Sequence, residues 1–312
     1  MKVGFLADMR NPPPWERPWS HLYGKMLELI EEADRLGAAA IFLGEHHLTP
    51  DGYLPQPLTL AAAIAARTRQ IRIGSSVVVA SFRHPLHIAE EAAVVDVLSG
   101  GRLELGLGAG YTPVEFDAFG VSRSERFALL ADGIAEVRRL LSDVVTPRPV
   151  QERLPIWCGY FGPGARRAGL LGEGLLSIVP WCLEPYTAGL VAGGHDPAQA
   201  RMAGPIDLIV ADDPERATAL LRPHIEYQAS AYAAFQDDVA RAEGRDPLYL
   251  GMADPGSYRV LAPGDAVSYI RQRTEGLPVA YVTPGLSIGG MPDEIAERHV
   301  TLVATEVAPA LA

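Results

Sequence analysis

A single closed (β/α)8 TIM barrel is the fold class that this 312-residue chain predicts, and three features predict it. Apolar runs of strand length alternate with segments of helical periodicity from one end to the other. Runs such as Ala38-Ala39-Ala40-Ile41-Phe42-Leu43-Gly44 are continuously apolar, as parallel strands covered on both faces are. Composition shows no break along the chain, which favours one closed barrel over an open doubly wound sheet. Residues 1–312 are therefore read as one α/β domain with loop insertions at its C-terminal face. The stretch at about 241–263, rich in Gly, Pro and Asp, is a candidate lid over the barrel mouth, with a solvated linker as the equal alternative.

The elements follow in order. Residues 3–9 form the first strand. A helix opens near Ser20, buries Leu22, Met26, Leu29, Ile30, Ala33 and Leu36 at helical spacing, and stops at Gly37. Residues 39–45 are the second strand, 58–68 the next helix, and 71–80 a third strand that is apolar almost throughout. Pro85 stands where a first helical position tolerates proline, and its helix ends at Gly100-Gly101. Residues 102–108 are the fourth strand; Ser122-Arg123-Ser124-Glu125 has the capping-box pattern and starts a long helix to Leu141. Residues 155–159, 175–180, 206–211 and 279–283 supply strands five to eight. Between them lie a helix at 164–171 and a long one, capped by Asp213-Pro214-Glu215, that runs to about Ala240.

Composition narrows the function classes. A hydrophobic content of 48% with 21% charged residues is ordinary for a globular protein with a substantial core. No apolar run approaches the roughly 20 residues of a membrane span, and the first apolar stretch is too short for a signal peptide. Cytoplasmic residence is the expectation, and two cysteines, Cys158 and Cys182, fit a reducing compartment. A net charge of −11 without an offsetting basic cluster argues against a nucleic-acid partner. The only lysines are Lys2 and Lys25, and no G-x-x-x-x-G-K-[ST] occurs, so Schiff-base and Walker-type phosphate chemistry are not expected.

In a barrel, chemistry gathers where strands end. The groups expected there are Asp8, Glu45-His46-His47, residues 76–81, 106–111 and 160–164, and Trp181, mostly uncharged or aromatic. They suit a flat apolar coenzyme better than a carboxylate pair or a metal, and no metal-ligand set is read. His46 and His47 point to opposite faces of a strand end, so one of them at most enters a site above the barrel axis. A neutral imidazole there serves as a general base near pH 7; two surface histidines in a βα loop are the alternative. Gly106-Leu107-Gly108-Ala109-Gly110 lacks the acidic residue of a dinucleotide fingerprint, and close backbone packing is the favoured role for Gly108 and its neighbours. Tyr160-Phe161-Gly162-Pro163-Gly164-Ala165-Arg166-Arg167 is a glycine turn leading into a helix, with N–H groups and guanidiniums suited to a phosphate. An ordinary αβ turn with solvated arginines is the other reading.

As a set, these residues resemble the bacterial luciferase-like flavin-dependent monooxygenase family. The resemblance rests on Glu45-His46-His47-Leu48-Thr49, Ile73-Gly74-Ser75-Ser76-Val77-Val78-Val79, His84-Pro85 with Ala89-Glu90, and Asp96-Val97-Leu98-Ser99-Gly100-Gly101-Arg102. It continues through Gly106-Leu107-Gly108-Ala109-Gly110-Tyr111, Glu115-Phe116, Phe119-Gly120, Arg126-Phe127, Pro155-Ile156-Trp157, Ala165-Arg166-Arg167-Ala168 and a closing helix from Pro292 to Val307.

The resemblance implies a monooxygenase that uses reduced FMN, supplied by a separate NAD(P)H-dependent flavin reductase, and O2 in flavin-peroxide chemistry on a small organic substrate. It implies a homodimer, no membrane and no nucleic acid. His46, with His47 as its rival, takes the proton-transfer role; Ser76, Val77, Gly108, Tyr160, Gly162, Gly164 and Arg166 hold the coenzyme, Arg166 being preferred to Arg167. Trp157, Trp181, Phe82, Tyr111 and Tyr160 are candidates for the dry wall that such chemistry needs. The resemblance also implies a cis peptide between Ser76 and Val77, where the residues alone suggest an unbroken strand. Two departures stand out: the family's phosphate arginine after the fourth strand is Ala109, and the serine of its phosphate turn is replaced by Gly162-Pro163. The rivals are a deazaflavin coenzyme used for hydride transfer and a non-catalytic flavin-binding protein of the same fold.

Overall fold

The computed structural model describes residues 1–249 and 251–312. Its main sheet is parallel throughout and contains ten segments in the order that a barrel requires. Two pairs of segments are single strands with an interruption. The first barrel strand comprises Lys2–Val3 and Phe5–Ala7; the third comprises Arg72–Ser75 and Val78–Val79. The others are Ala40–Leu43, Leu103–Gly108, Ile156–Gly159, Gly174–Leu176, Met202–Ile206 and Val279–Pro284. Closure occurs at the first strand. Val3 pairs with Val282, the Gly4 N–H donates to the Val282 carbonyl at 3.0 Å, and Leu6 bridges to Gly285.

Most predicted elements are present within a residue or two, and three differ for physical reasons. The seventh strand is Met202–Ile206 rather than 206–211. Leu208–Val210 instead pairs in parallel with Arg259–Leu261 in a small sheet outside the barrel. Gly204-Pro205 looks like a breaker, yet Pro205 sits in register with Thr283 and faces the barrel mouth. The third strand is interrupted at Ser76–Val77, whose peptide bond is cis, as the family resemblance implies. The Ser122 capping box does not form: the Ser122 hydroxyl pairs with that of Ser124 at 2.8 Å, and a short 3-10 turn, Arg123–Glu125, precedes the helix Arg126–Asp143.

The 241–263 stretch is largely ordered into elements. The long helix Pro214–Glu243 enters it, a turn Gly251–Ala253 follows, and the strand Arg259–Leu261 leaves it. Leu250, within that stretch, lies outside the described residues. Among the described residues no helix is long and apolar enough to cross a membrane.

The barrel interior is filled below and emptied above. In the lower half Leu6, Phe42, Trp157 and Tyr281 pack together, and the buried Glu104 carboxylate accepts from Trp157 Nε1 at 2.7 Å, from the Tyr281 hydroxyl at 3.1 Å and from Arg72. A side chain at Gly74 would collide with the Phe42 ring, and one at Gly174 with Trp157, so these glycines admit the large rings. Near the strand ends Gly108 and Gly159 lie against Val77 and leave open volume above it.

Buried polar groups lock the periphery. The Asp34 carboxylate accepts the N–H groups of Arg69, Gln70 and Ile71 at 2.9, 2.8 and 2.6 Å, and so fixes the turn into the third strand. Burial raises its pKa, but those three donors outweigh burial and leave it below the ordinary value.

His299 joins the small sheet to the barrel. Its Nδ1 accepts the Val210 N–H at 2.9 Å, and its Nε2 lies 2.9 Å from the Gly285 carbonyl, a pairing that suits the neutral ring. Burial pushes its pKa down to about 4, against the hydrogen bond to the Gly285 carbonyl, which raises it. Because the unfolded chain takes up this proton first, the stabilisation is complete above pH ~6.5 and is lost as pH falls toward 4. The lost share amounts to about 3 kcal/mol. Urea titrations from pH 7 to pH 4 should show this decline, and His299→Gln should be less stable at pH 7 with a flatter profile; an equally steep profile would locate the acid sensitivity elsewhere.

Candidate functional site

A cavity of about 750 Å3 opens at the C-terminal ends of the strands. Its floor is the emptied upper barrel: Leu6, Val77, Gly108, Gly159, Leu176 and Pro205. Ser76, Tyr160 and Gly164 also line it, so five of the residues expected to hold a coenzyme (Ser76, Val77, Gly108, Tyr160 and Gly164) share one wall system. The volume falls in the range of coenzyme and small-ligand sites.

His46 enters from the exit of the second strand and is buried, at 7% exposure. Its Nδ1 is 2.9 Å from Glu115 Oε1, and its Nε2 is 3.1 Å from the Tyr111 hydroxyl. Phe235 stacks on one face of the ring with centroids 4.2 Å apart, while Tyr53 and Tyr111 meet it edge-on. Glu115 lies in the first turn of the helix Pro113–Phe119, and its Oε1 also accepts the His47 backbone N–H at 2.7 Å. This carboxylate orients the imidazole much as the acid of a catalytic triad orients its histidine. Tyr111 keeps its phenol proton: burial, with Tyr232 and Glu115 nearby, pushes its pKa up.

His47 points the other way, as alternation along an extended segment requires. Its Nε2 is 2.9 Å from Glu45 Oε1, and its ring meets Phe82 and Phe119 in an adjoining hollow of about 320 Å3. Glu45 is bordered by both cavities and also accepts from Val79 N and Arg83 Nη2.

Arg126 and Arg167 also line the main cavity, and their guanidiniums lie 4.4 and 5.2 Å from the Phe127 ring centroid. Neither has a carboxylate within 4.0 Å among the described residues. Burial and the nearby Arg123 lower the pKa of Arg126. The Tyr160 hydroxyl is buried without a hydrogen-bond partner among the described residues, within the field of Arg167.

Of the two adjacent arginines, Arg167 lines the cavity and Arg166, the one expected to hold the phosphate, does not. The helix Ala165–Leu170 packs its backbone at Arg166 against Gly189 of Leu183–Ala192, which turns the Arg166 side chain to solvent and leaves Arg167 on the cavity. Gly162, at φ +59°, does not line the cavity; its N–H donates to Cys182 Sγ at 3.3 Å. Of the aromatic wall candidates, Tyr111 and Tyr160 line the cavity, whereas Trp157 lies in the barrel below, Phe82 in the outer hollow, and Trp181 is 54% exposed against Phe161.

The roof comes from the helix Pro214–Glu243, which contributes Tyr232, and from Met252. An ion cluster ties this roof down. Arg10 pairs with Asp51 and lies 3.5 Å from Asp8, and its guanidinium sits over the rings of Tyr53 and Tyr232. Gln228 and Tyr227 of the roof helix donate to Asp8 and Asp51 at 2.6 and 3.1 Å. Burial raises the pKa of Asp8, against the lowering effect of Arg10.

Sequence reasoning named Glu115 and Arg126 within family motifs but gave them no role, and it passed over Arg10, Tyr53, Tyr232 and Phe235. Glu115 carried a usable signal, an acid in the first turn after a proline-opened helix at a strand end. The aromatic residues of the roof carried none, because their spacing is that of any amphipathic helix.

A parallel eight-stranded barrel with a coenzyme-sized cavity and a buried histidine–carboxylate pair at its strand ends defines the class as a TIM barrel with a candidate active site at its C-terminal face. The family model described as luciferase-like monooxygenase matches residues 1–307, and the chain belongs to that family. It is 36% identical over 250 residues to a 4-hydroxyprotoasukamycin monooxygenase of Streptomyces nodosus subsp. asukaensis, a match covering 80% of this chain and 64% of that one. It is 28% identical over 283 residues to an F420-dependent glucose-6-phosphate dehydrogenase of Kineococcus radiotolerans, covering 80% of each. The crystal structure of a monooxygenase from Streptomyces bottropensis superposes with a TM-score of 0.83 at 27% identity over the whole of both chains. The chain spans under two thirds of the Streptomyces nodosus enzyme, and only 29% and 27% of two other curated relatives.

The open volume depends on the small residues of its floor. Gly108→Ala should destabilise the fold by about 1–3 kcal/mol, because the added methyl meets the stiff, β-branched Val77. Gly264→Ala, where nothing lies within 4 Å, should be neutral or stabilising. Denaturant unfolding of both variants checks this; equal effects would show that the floor has slack.

Proposed function

We propose that the protein is a flavin-dependent monooxygenase that uses reduced FMN and O2 to oxidise a small organic substrate. The observation that carries this reading is the single cavity itself. It brings together a buried, carboxylate-held imidazole, two arginines, a tyrosine hydroxyl without a hydrogen-bond partner among the described residues, and an apolar floor cleared by glycines. The relatives named as monooxygenases support the reading.

The residues present fit FMN. Arg126, Arg167 and Tyr160 would hold the phosphate, with Gly164 beside them, and Ser76, Val77 and Gly108 would back the ring. When bound, reduced FMN supplies the electrons that activate O2. The chain does the rest. Val77, Leu176, Pro205 and Met252 exclude water; Glu115 holds the His46 tautomer; His46 holds and releases a proton at Nε2. A separate NAD(P)H-dependent flavin reductase is the partner that such chemistry requires. The reading extends to cytoplasmic residence, in keeping with two buried free cysteines, and to a homodimer, in keeping with Val94, Val97 and Leu98 exposed on one helix.

Deazaflavin-dependent hydride transfer is the second reading, favoured by the F420-dependent relatives. Titrating the protein with FMN and with a deazaflavin, oxidised and reduced, while following oxygen consumption decides between them. Oxygen uptake with reduced FMN is the expected result; tight deazaflavin binding without uptake would replace the reading.

Two pairs of substitutions probe the assigned roles. Arg167→Ala should weaken FMN by roughly 10-fold or more while leaving riboflavin binding unchanged, and Arg166→Ala should affect neither. Equal losses for both ligands would assign Arg167 to packing. His46→Ala should lower turnover by roughly 100-fold at unaltered FMN affinity, with His47→Ala much milder. The reverse order would move the role to the Glu45–His47 pair.

A further inference from the structure

His46 has no free nitrogen. Its Nδ1 is taken by Glu115 and its Nε2 by the Tyr111 hydroxyl, at 2.9 and 3.1 Å. Its faces are covered as well, by Phe235 on one side and the edge of Tyr53 on another. To touch a bound molecule directly, Nε2 would have to give up its tyrosine. Tyr111 is placed differently. It follows Gly110, at φ +69°, after the fourth strand, and lines the cavity as His46 does, but half-buried where His46 is buried.

We propose that Tyr111 is the catalytic residue that exchanges a proton with the reacting molecule, and that His46 and Glu115 act through it. The inference rests on the reading of the cavity as an oxidoreductase site. In the donor direction, His46 carries protons on both nitrogens: Nδ1–H donates to the Glu115 carboxylate and Nε2–H to the Tyr111 oxygen. The Tyr111 O–H bond breaks toward an acceptor atom in the cavity as the Nε2–H bond breaks toward Tyr111. The phenol is re-formed, and His46 becomes neutral. In the base direction the same two protons move back, and Glu115 compensates the imidazolium charge. Only His46 and the reacting molecule change their proton count; Tyr111 loses one proton as it gains another, and Glu115 remains a carboxylate.

The surroundings hold the relay in this direction. Burial first, then Tyr232 and Glu115, raise the Tyr111 pKa, with Arg10 opposing, so the phenol passes protons without resting as phenolate. The titratable groups packed around the trio are Tyr53, Arg10, Tyr232, Glu45 and His47. Glu115 Oε2 is buried without a partner, so the charge that His46 gains faces a carboxylate that no other cation neutralises.

Tyr111→Phe keeps the ring and removes one oxygen. It should lower kcat by roughly 100-fold with KM and coenzyme affinity unchanged. His46→Gln should lose a comparable factor, and the double variant should be no worse than either single one, as for residues that act as a unit. Near-normal turnover in Tyr111→Phe beside an inactive His46→Gln would overturn the proposal. A second readout needs no turnover: in 15N NMR of the coenzyme-free protein, Tyr111→Phe should shift the His46 Nε2 resonance and leave Nδ1 in place. An unmoved Nε2 would show that the two groups are not coupled and would also overturn it. Should neither FMN nor a deazaflavin support turnover of the unaltered protein, the functional reading fails, and the NMR comparison alone upholds or overturns the Tyr111–His46 coupling.

Discussion

The Glu115 carboxylate is the interaction on which the site depends. One oxygen accepts both His46 Nδ1 and the His47 backbone N–H, and so clamps the exit of the second strand to the helix that follows the fourth. A buried carboxylate is costly unless its partners are well placed. Here the cost is offset by donors that the barrel geometry delivers, and the same contacts decide which histidine faces the cavity. With Nδ1 engaged, the opposite nitrogen is directed at Tyr111 and the open volume.

That volume exists because the barrel divides its interior between large rings and no side chains at all. Trp157, Phe42 and Tyr281 fill the lower half around Glu104, a shared acceptor for Trp157, Tyr281 and Arg72. Above them Gly108 and Gly159 leave only Val77 between the floor and the cavity. Close packing below thus supplies stability, and the missing side chains above supply room, so that the two functions do not compete for the same residues.

The roof is held by charge rather than by apolar area alone. Arg10 lies between Asp8 and Asp51 with aromatic rings beneath it, and Gln228 and Tyr227 attach the long helix to those carboxylates. Such buried pairs contribute little net stability compared with apolar packing, yet breaking one leaves an uncompensated charge. They therefore specify where the helix sits. That position places Phe235 on His46.

Local pattern alone made much of this molecule legible. Apolar runs of strand length, proline-opened helices and glycine stops placed the alternation, because parallel strands and amphipathic helices write their burial into neighbouring residues. The opposed directions of His46 and His47 follow from alternation along the chain, and the glycines after the fourth strand marked close packing. Other features rest on contacts between residues far apart in sequence. The strand at Met202–Ile206 was concealed because only its partner strands show that Pro205 belongs to the sheet. Arg167 rather than Arg166 faces the cavity because a neighbouring helix packs at Gly189. Phe235 reaches His46, and Tyr232 reaches Tyr53, only through the docking of a helix some 180 residues away. A one-dimensional pattern records which face of an element is buried; what lies against that face is decided when the barrel closes.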